Sequence, residues 1–285
     1  MKLFDLHCDT ATALYHKNLS FDNSVTHINA HTLADHRLTQ CFAVFFDENS
    51  PLPPKELLRA VAEEILPTLK RENLRPILTA EGAGALAEEA DWIDLLQGYG
   101  CAMASLVWNG KNSLATGALT DDKAPLTPEG RRVIEEWVRR GIVPDVSHLS
   151  AAGTDEILSL TQAPVAASHS NARACRNHPR NLTDSAAQEI FRRGGLVGLN
   201  LYPPFLSESH ATVDDILRHA EHFLSLGGET GLALGCDLDG VESLPEGIRG
   251  FADLPLLYQR FCTAFGADLA DRIFYKNAAR FFGRE

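Results

Sequence analysis

The sequence predicts an α/β fold, a single-domain (β/α)8 barrel of the TIM type spanning residues 1–285. Three observations predict it. Eight short apolar runs punctuate the chain. Amphipathic stretches with helix start and stop signals lie between them. No linker, low-complexity tract or repeat beyond the strand–helix period divides the chain. Runs this apolar suit strands buried on both faces, and their alternation with helices suits a parallel sheet. Eight such units in 285 residues favour a closed barrel over an open sheet.

The runs are "KLFDLHCD" (2–9), "QCFAVFF" (40–46), "RPILTAEG" (75–82), "CAMASLVW" (101–108), "GIVPDVSH" (141–148), "APVAASH" (163–169), "GLVGLNLY" (195–202) and "GLALGCD" (231–237). Helical patterns fill the gaps. "PKELLRAVAEEILPTLKRE" precedes the third run. "TPEGRRVIEEWVRRG" precedes the fifth, with Thr127 as N-cap, Pro128 at the first helical position and Gly141 as the stop. "TDSAAQEIFRRGG" repeats the pattern, with Thr183 or Asp184 capping and Gly194 stopping. "TVDDILRHAEHFLSLGG" repeats it before the eighth run.

A net charge of −12 argues against binding nucleic acid or an anionic membrane surface. The apolar runs are far too short to span a bilayer. Six cysteines, at 8, 41, 101, 175, 236 and 262, form no C-x-x-C pair, so neither a zinc finger nor a redox motif is expected. Several fall in apolar runs, where a free cysteine acts as a small hydrophobe. With no charged segment leading into an apolar one at the start, the chain reads as a cytoplasmic protein.

In such barrels the chemistry gathers at the C-terminal strand ends. The first run ends in His7 and Asp9, which share one strand face while Cys8 takes the other. By themselves these two are either metal ligands or a hydrogen-bonded core pair. The third run ends in Glu81, the fifth in His148, the sixth in His169 and the eighth in Asp237. Carboxylates crowded at one rim repel and lose hydration, and no lysine sits at these strand ends. Divalent cations relieve that. The His, Asp and Glu donors suit zinc, manganese, cobalt or iron. Their number exceeds what one catalytic zinc takes, so two ions sharing a bridging carboxylate are expected. Such a pair activates water for hydrolysis, with Asp237 as the proton shuttle. If the eighth strand continued through "GCDLDG", Asp239 would share the face of Asp237. Otherwise Asp239 holds a loop.

"DLHCDT", "AEG", "DVSHLS", "SHSNAR", "HPRNLTD" and "GCDLDG", in this order, resemble the membrane (renal) dipeptidase family of the amidohydrolase superfamily. The resemblance runs from the first strand to the closing "YKNAARFFG". It implies a binuclear zinc dipeptidase in which a metal-bridging hydroxide attacks the peptide carbonyl. His7 and Asp9 then bind one Zn2+, His148 and His169 the other, and Glu81 bridges them. Asp237 matches the acid/base, and Arg180 matches the arginine that grips the substrate carboxylate. An arginine fork meets a carboxylate bidentately. Tyr202 resembles a tyrosine at the same carboxylate. The family's tolerance of a D-residue at the C-terminal position makes Xaa-D-Xaa dipeptides candidate substrates, and its frequent dimers make a homodimer an expectation.

One departure is visible. Animal members carry a histidine at the end of the fourth strand, and here the chain reads "LVWNGKNS". Asn109 is placed to donate its amide to a developing oxyanion, or Trp108 forms a wall of the pocket. Arg173, in "SHSNAR", either pairs with a carboxylate near the site or opens the following loop. Two other functions compete. One is a different amidohydrolase activity on the same metals, a lactonase, deacetylase or amidase. The other is a barrel that binds metal or peptide without turnover. A phosphate-binding barrel is disfavoured, since "YPPFLSES" after the seventh run has no glycine-rich anion loop.

Overall fold

Eight parallel strands close into a barrel in sequence order. The structure, a computed structural model, describes residues 1–33, 36–47, 50 and 52–284. The strands are β1 (Lys2–Cys8), β2 (Arg37–Phe45), β3 (Leu74–Glu81), β4 (Met103–Ser105), β5 (Val143–Asp145), β6 (Ala166–Ala167), β7 (Leu196–Leu199) and β8 (Leu232–Leu234). The longest ladder joins β2 to β3, from Leu38↔Leu74 to Phe45↔Glu81. Asp5↔Leu234 closes the ring between β1 and β8.

The apolar runs became strands because both faces are covered. After Lys2, every residue of β1 is buried. Helices supply the outer layer, and Pro128–Arg140 shows how. Thr127 Oγ1 accepts the Gly130 N–H at 3.0 Å, Pro128 takes the first turn, and Gly141 ends it at φ 77°, a left-handed geometry glycine adopts at little cost. Gly130, Val133, Ile134 and Trp137 recur at helical spacing, and all are buried. Thr183, not Asp184, caps the helix Asp184–Arg192. Thr212 and Asp215 form a reciprocal capping box on Val213–Ser225, the kind of cap whose loss costs about 1 kcal/mol.

Two apolar clusters fill the molecule. The larger lies between the strands and the helices. The smaller joins Phe4, Leu6, Cys41, Leu196 and Ala233 to Ala278 and Ala279 of the last helical segment. There Phe4 stacks on Phe282 with ring centroids 5.4 Å apart, near the strand starts and so away from the chemistry. Among the described residues no helix is long and apolar enough to cross a membrane.

The strands from β4 onward hold only two to four residues each. The chain leaves the sheet before reaching His148, His169, Tyr202 and Asp237. These four stand on the turns that follow, not on strands as the runs predict. His148 and Asp237 have φ 72° and 61°, and Asp239 has φ 66°, a region that non-glycine residues enter only when their surroundings hold them there.

Candidate metal centre

Hydrogen bonds between segments distant in sequence build much of the site. Asp5 Oδ1 accepts the Cys236 N–H at 2.9 Å and stitches β1 to the chain after β8. The Asp237 N–H donates to the His7 carbonyl at 3.1 Å, and the Asp9 N–H donates to the Leu238 carbonyl at 3.0 Å. These bonds bring Asp9 and Asp237 beside His7. A register irregularity between Asp5 and Cys8 lies at His7, where bulges re-aim side chains. On the other side, the Asp145 carboxylate accepts the Ser147 N–H at 3.0 Å, the Ser168 N–H at 2.9 Å and the Ser168 hydroxyl at 2.5 Å. That knot fixes the turns carrying His148 and His169.

The six strand-end residues converge. His7 Nε2 lies 3.4 Å from Glu81 Oε2, 3.7 Å from Asp237 Oδ1 and 3.9 Å from Asp9 Oδ2. The other Glu81 oxygen, Oε1, lies 2.7 Å from His148 Nε2 and 3.7 Å from His169 Nε2. Glu81 thus turns one oxygen to each half of the site. Donor atoms of His7, Glu81 and His169, and of His7, Asp9 and Asp237, form two groups compact enough for an ion.

Three observations fit a metal there. First, His7 Nε2 and Asp9 Oδ1 are buried without a hydrogen-bond partner, which buried polar atoms rarely are. Second, His148 and His169 face each other through Nε2 at 2.9 Å. Their Nδ1 atoms are engaged, with Asn109 Oδ1 at 3.0 Å and Ser168 Oγ at 2.8 Å. With Nδ1–H donating, as the acceptors favour, two Nε2 lone pairs point at one another, an arrangement a shared cation stabilises. Third, Gly240 packs so tightly that a Cβ would run into both the Asp9 and Asp237 carboxylates.

The charge balance agrees. Burial, then the Glu81 charge, pushes the Asp9 carboxyl up to about 6. Burial pushes Asp237 up to about 7 and Asp5 to about 6. Burial and then Arg180 push His148 down to about 4, and burial and then His7 hold His169 well below its ordinary value. Burial works against a charge on His7, but Glu81 and Asp9 outweigh it and raise its value. Burial also opposes ionisation of Glu81, yet His7 and His148 outweigh it and hold the carboxyl low.

These shifts set how the chelated protein responds to pH. The raised aspartates hold protons that the unfolded chain has released, so they cost stability as pH climbs from about 4 to about 7. His7 acts in the same direction: its stabilisation is full below its unfolded value of about 6.5 and fades above it. The lowered His148 and His169 favour folding as pH rises, but only up to about 6.5, and Glu81 has ceased to change well below that. The chelated protein should therefore lose thermal stability between about pH 6.5 and 8, and a divalent ion should restore it. Melting curves at the two pH values, with and without zinc, check this. A melting temperature unmoved by pH and metal would contradict it.

Above the centre lies a cavity of about 430 Å³ lined by Arg180, Tyr202, Asn109 and Asp237 among others. Arg180 is 4% exposed, its Nε and Nη2 have no hydrogen-bond partner, and its guanidinium lies over Phe205 at 5.3 Å. Burial pulls its value down to about 10 against the pull of Glu81 and Asp237. It is the buried cation that the strand-end residues lacked. Tyr202 lines the same cavity, edge-on to Phe205 at 5.0 Å. Asn109 does more than border the cavity, because its carbonyl oxygen holds His148. Asp239 faces away from the centre, accepting the Thr10 hydroxyl at 2.5 Å and the His27 N–H at 2.7 Å, so it holds a loop.

The sequence model of the membrane dipeptidase family, peptidase family M19, matches residues 53–284. The chain belongs to this family. Dipeptidase aclJ of Aspergillus oryzae is 30% identical over 197 residues, 66% of this chain and 46% of that protein. An uncharacterized dipeptidase of Schizosaccharomyces pombe is 28% identical over 193 residues, 66% of this chain and 47% of that protein. The chain spans about half the length of these curated relatives. The crystal structure of a family M19 metallopeptidase, dipeptidase AC, shares the fold with a TM-score of 0.90 at 25% identity, over 100% of this chain and 98% of the other. A metallopeptidase from Rhodobacter sphaeroides, liganded with a phosphinate mimic of L-Ala-D-Ala, shares it with a TM-score of 0.83 at 23% identity, over 100% and 99%.

In this membrane dipeptidase family member, several residues that position the centre escape sequence reading. Asn200 Nδ2 donates to Asp237 Oδ2 at 3.0 Å. Asn171 clasps the Asn200 backbone from both sides, accepting its N–H at 3.1 Å and donating to its carbonyl at 2.9 Å. The signal was a lone amide inside the apolar "GLVGLNLY". Asp145, inside "GIVPDVSH", was the same kind of signal.

Proposed function

We propose that this chain is a binuclear zinc dipeptidase that accepts substrates with an L- or D-residue at the C-terminal position. The observation that carries this is Arg180, a buried guanidinium with two unpartnered donors beside a metal-competent cluster. A free carboxylate of a short peptide satisfies those donors bidentately. In this reading His7 and Asp9 would hold one zinc and His148 and His169 the other, and Glu81, which turns one oxygen to each half of the site, would serve both. When bound, the ions supply Lewis acidity and an acidified water.

The chain's own groups do the rest. Asn109 and Ser168 fix the tautomers that leave Nε2 of His148 and His169 free. Asn200 occupies Oδ2 of Asp237, which leaves Oδ1, on the His7 side, to take a proton from the attacking water and pass it to the departing amine. A carboxylate with one oxygen free beside the water is suited to both tasks. In the same cavity Tyr202 would border the bound carboxylate, and Asn109 would offer its amide to the developing oxyanion. Six unpaired cysteines, four of them buried, support a reducing, cytoplasmic setting. The test is a panel of L,L- and L,D-dipeptides assayed with zinc and after chelation. Turnover is expected only with metal, and robust hydrolysis after complete metal removal would overturn the reading.

Arg173 belongs to this machinery indirectly. Its guanidinium donates to the Pro179 carbonyl at 2.5 Å and the Asn181 carbonyl at 2.8 Å, on either side of Arg180, and to Asp122 at 2.7 Å. Arg173→Ala should loosen the Arg180 loop and raise KM for dipeptides about tenfold, the worth of one or two such bonds, with a smaller effect on kcat. Steady-state kinetics check this, and a loss confined to kcat would contradict it.

A further inference from the structure

The walls of the cavity differ around its rim. The loops after β6 and β7 supply Arg180, Tyr202 and Phe205. In a ring closed in sequence order, β2 stands across from β6 and β3 across from β7. The sector from β2 to β4, which begins across from the Arg180 loop and ends across from β8, is apolar. Phe45, the last residue of β2, meets Trp108, just past β4, edge-on with centroids 5.0 Å apart. Leu119, from the loop after β4, lines the same cavity and is 50% exposed. Few large apolar side chains of the described residues stand so open to water. A third sector, from β1 and β8, is acidic, with Asp9, Asp237 and Glu242.

A dipeptide whose carboxylate sits on Arg180 and whose scissile bond lies over Glu81 and His148 must send its other residue across the centre. We infer that Phe45, Trp108 and Leu119 form a subsite for the side chain of that N-terminal residue, and that it selects large apolar and aromatic side chains. This rests on the dipeptidase reading and on Arg180 as the carboxylate anchor. An apolar side chain removes the wall and itself from water. Glycine leaves the wall wet, and an acidic side chain would have to shed its hydration against an apolar wall that offers it no partner.

The test is kcat/KM of the zinc-loaded enzyme on Gly-Ala, Glu-Ala, Leu-Ala and Phe-Ala, compared with Leu119→Ser and Phe45→Ala. Phe-Ala and Leu-Ala should exceed Gly-Ala by about tenfold or more, within the range a hydrophobic pocket discriminates, and Glu-Ala should be poorest. Both variants should compress the Phe-Ala to Gly-Ala ratio. Leu119 is a surface residue, so Leu119→Ser should keep the melting temperature. Equal kcat/KM across an active panel overturns the subsite and leaves the dipeptidase reading standing. An unchanged ratio in both variants also overturns the subsite. No turnover of any dipeptide by zinc-loaded enzyme overturns both.

Discussion

Replacing Glu81 with glutamine is expected to lower kcat/KM by about a thousandfold or more, about 4 kcal/mol of transition-state stabilisation, and to reduce bound metal. Glutamine keeps the volume and loses the charge. In the structure the two Glu81 oxygens divide between His7 on one side and His148 and His169 on the other. An amide offers one good acceptor and one donor pair, so one half of the centre must lose its bridge. The NH2 group would also point at an imidazole nitrogen intended for a cation. Elemental analysis of metal content, beside kinetics on a dipeptide, separates this from misfolding, as does a melting curve. Full metal occupancy with undiminished rate would show that Glu81 plays no bridging part.

Arg180→Ala should cost dipeptide hydrolysis about a hundredfold to a thousandfold in kcat/KM, most of it through KM, in line with truncating one partner of a buried charged pair. The substitution removes two donors that nothing else in the structure satisfies. It also removes a positive charge that burial and distance allow to act on Glu81 and Asp237. Arg180→Lys should recover only part of the loss, since an ammonium lacks the planar fork and its stacking on Phe205. A dipeptide amide, which has no terminal carboxylate, should be a poor substrate for the parent enzyme and should lose little further in the variant. If the amide and the free acid fell equally, Arg180 would be supporting the fold and not reading the carboxylate.

Much of this was legible in the sequence, for a physical reason. A polar or ionisable residue at the end of an otherwise apolar run is costly unless something recruits it. His7, Glu81, His148, His169 and Asp237 therefore stood out, and the structure brings them together. The barrel was legible because strand and helix periods differ and caps such as Thr127 and Gly141 punctuate them. What stayed hidden depends on contacts distant in sequence. The bond from Asn200 to Asp237 and the grip of Arg173 on the Arg180 loop leave no periodic trace. The left-handed turns at His148 and Asp237, where the chain has left the sheet after β5 and β8, also leave none. Asp239 followed from the same blindness: its facing Asp237 depended on a strand that ends at Leu234. Arg180 could be placed only through the family resemblance, since the loop and ring that bury it lie outside its own motif.

The ring is shut by the pairing of its first strand with its last, and that has a consequence for the order of assembly during synthesis. His7 and Asp9 leave the ribosome long before Asp237 and the chain that stitches to them. A nascent chain can offer only scattered donors until then. Any ion held by both groups would therefore have to wait for the eighth strand, and chains cut short before it should hold little metal.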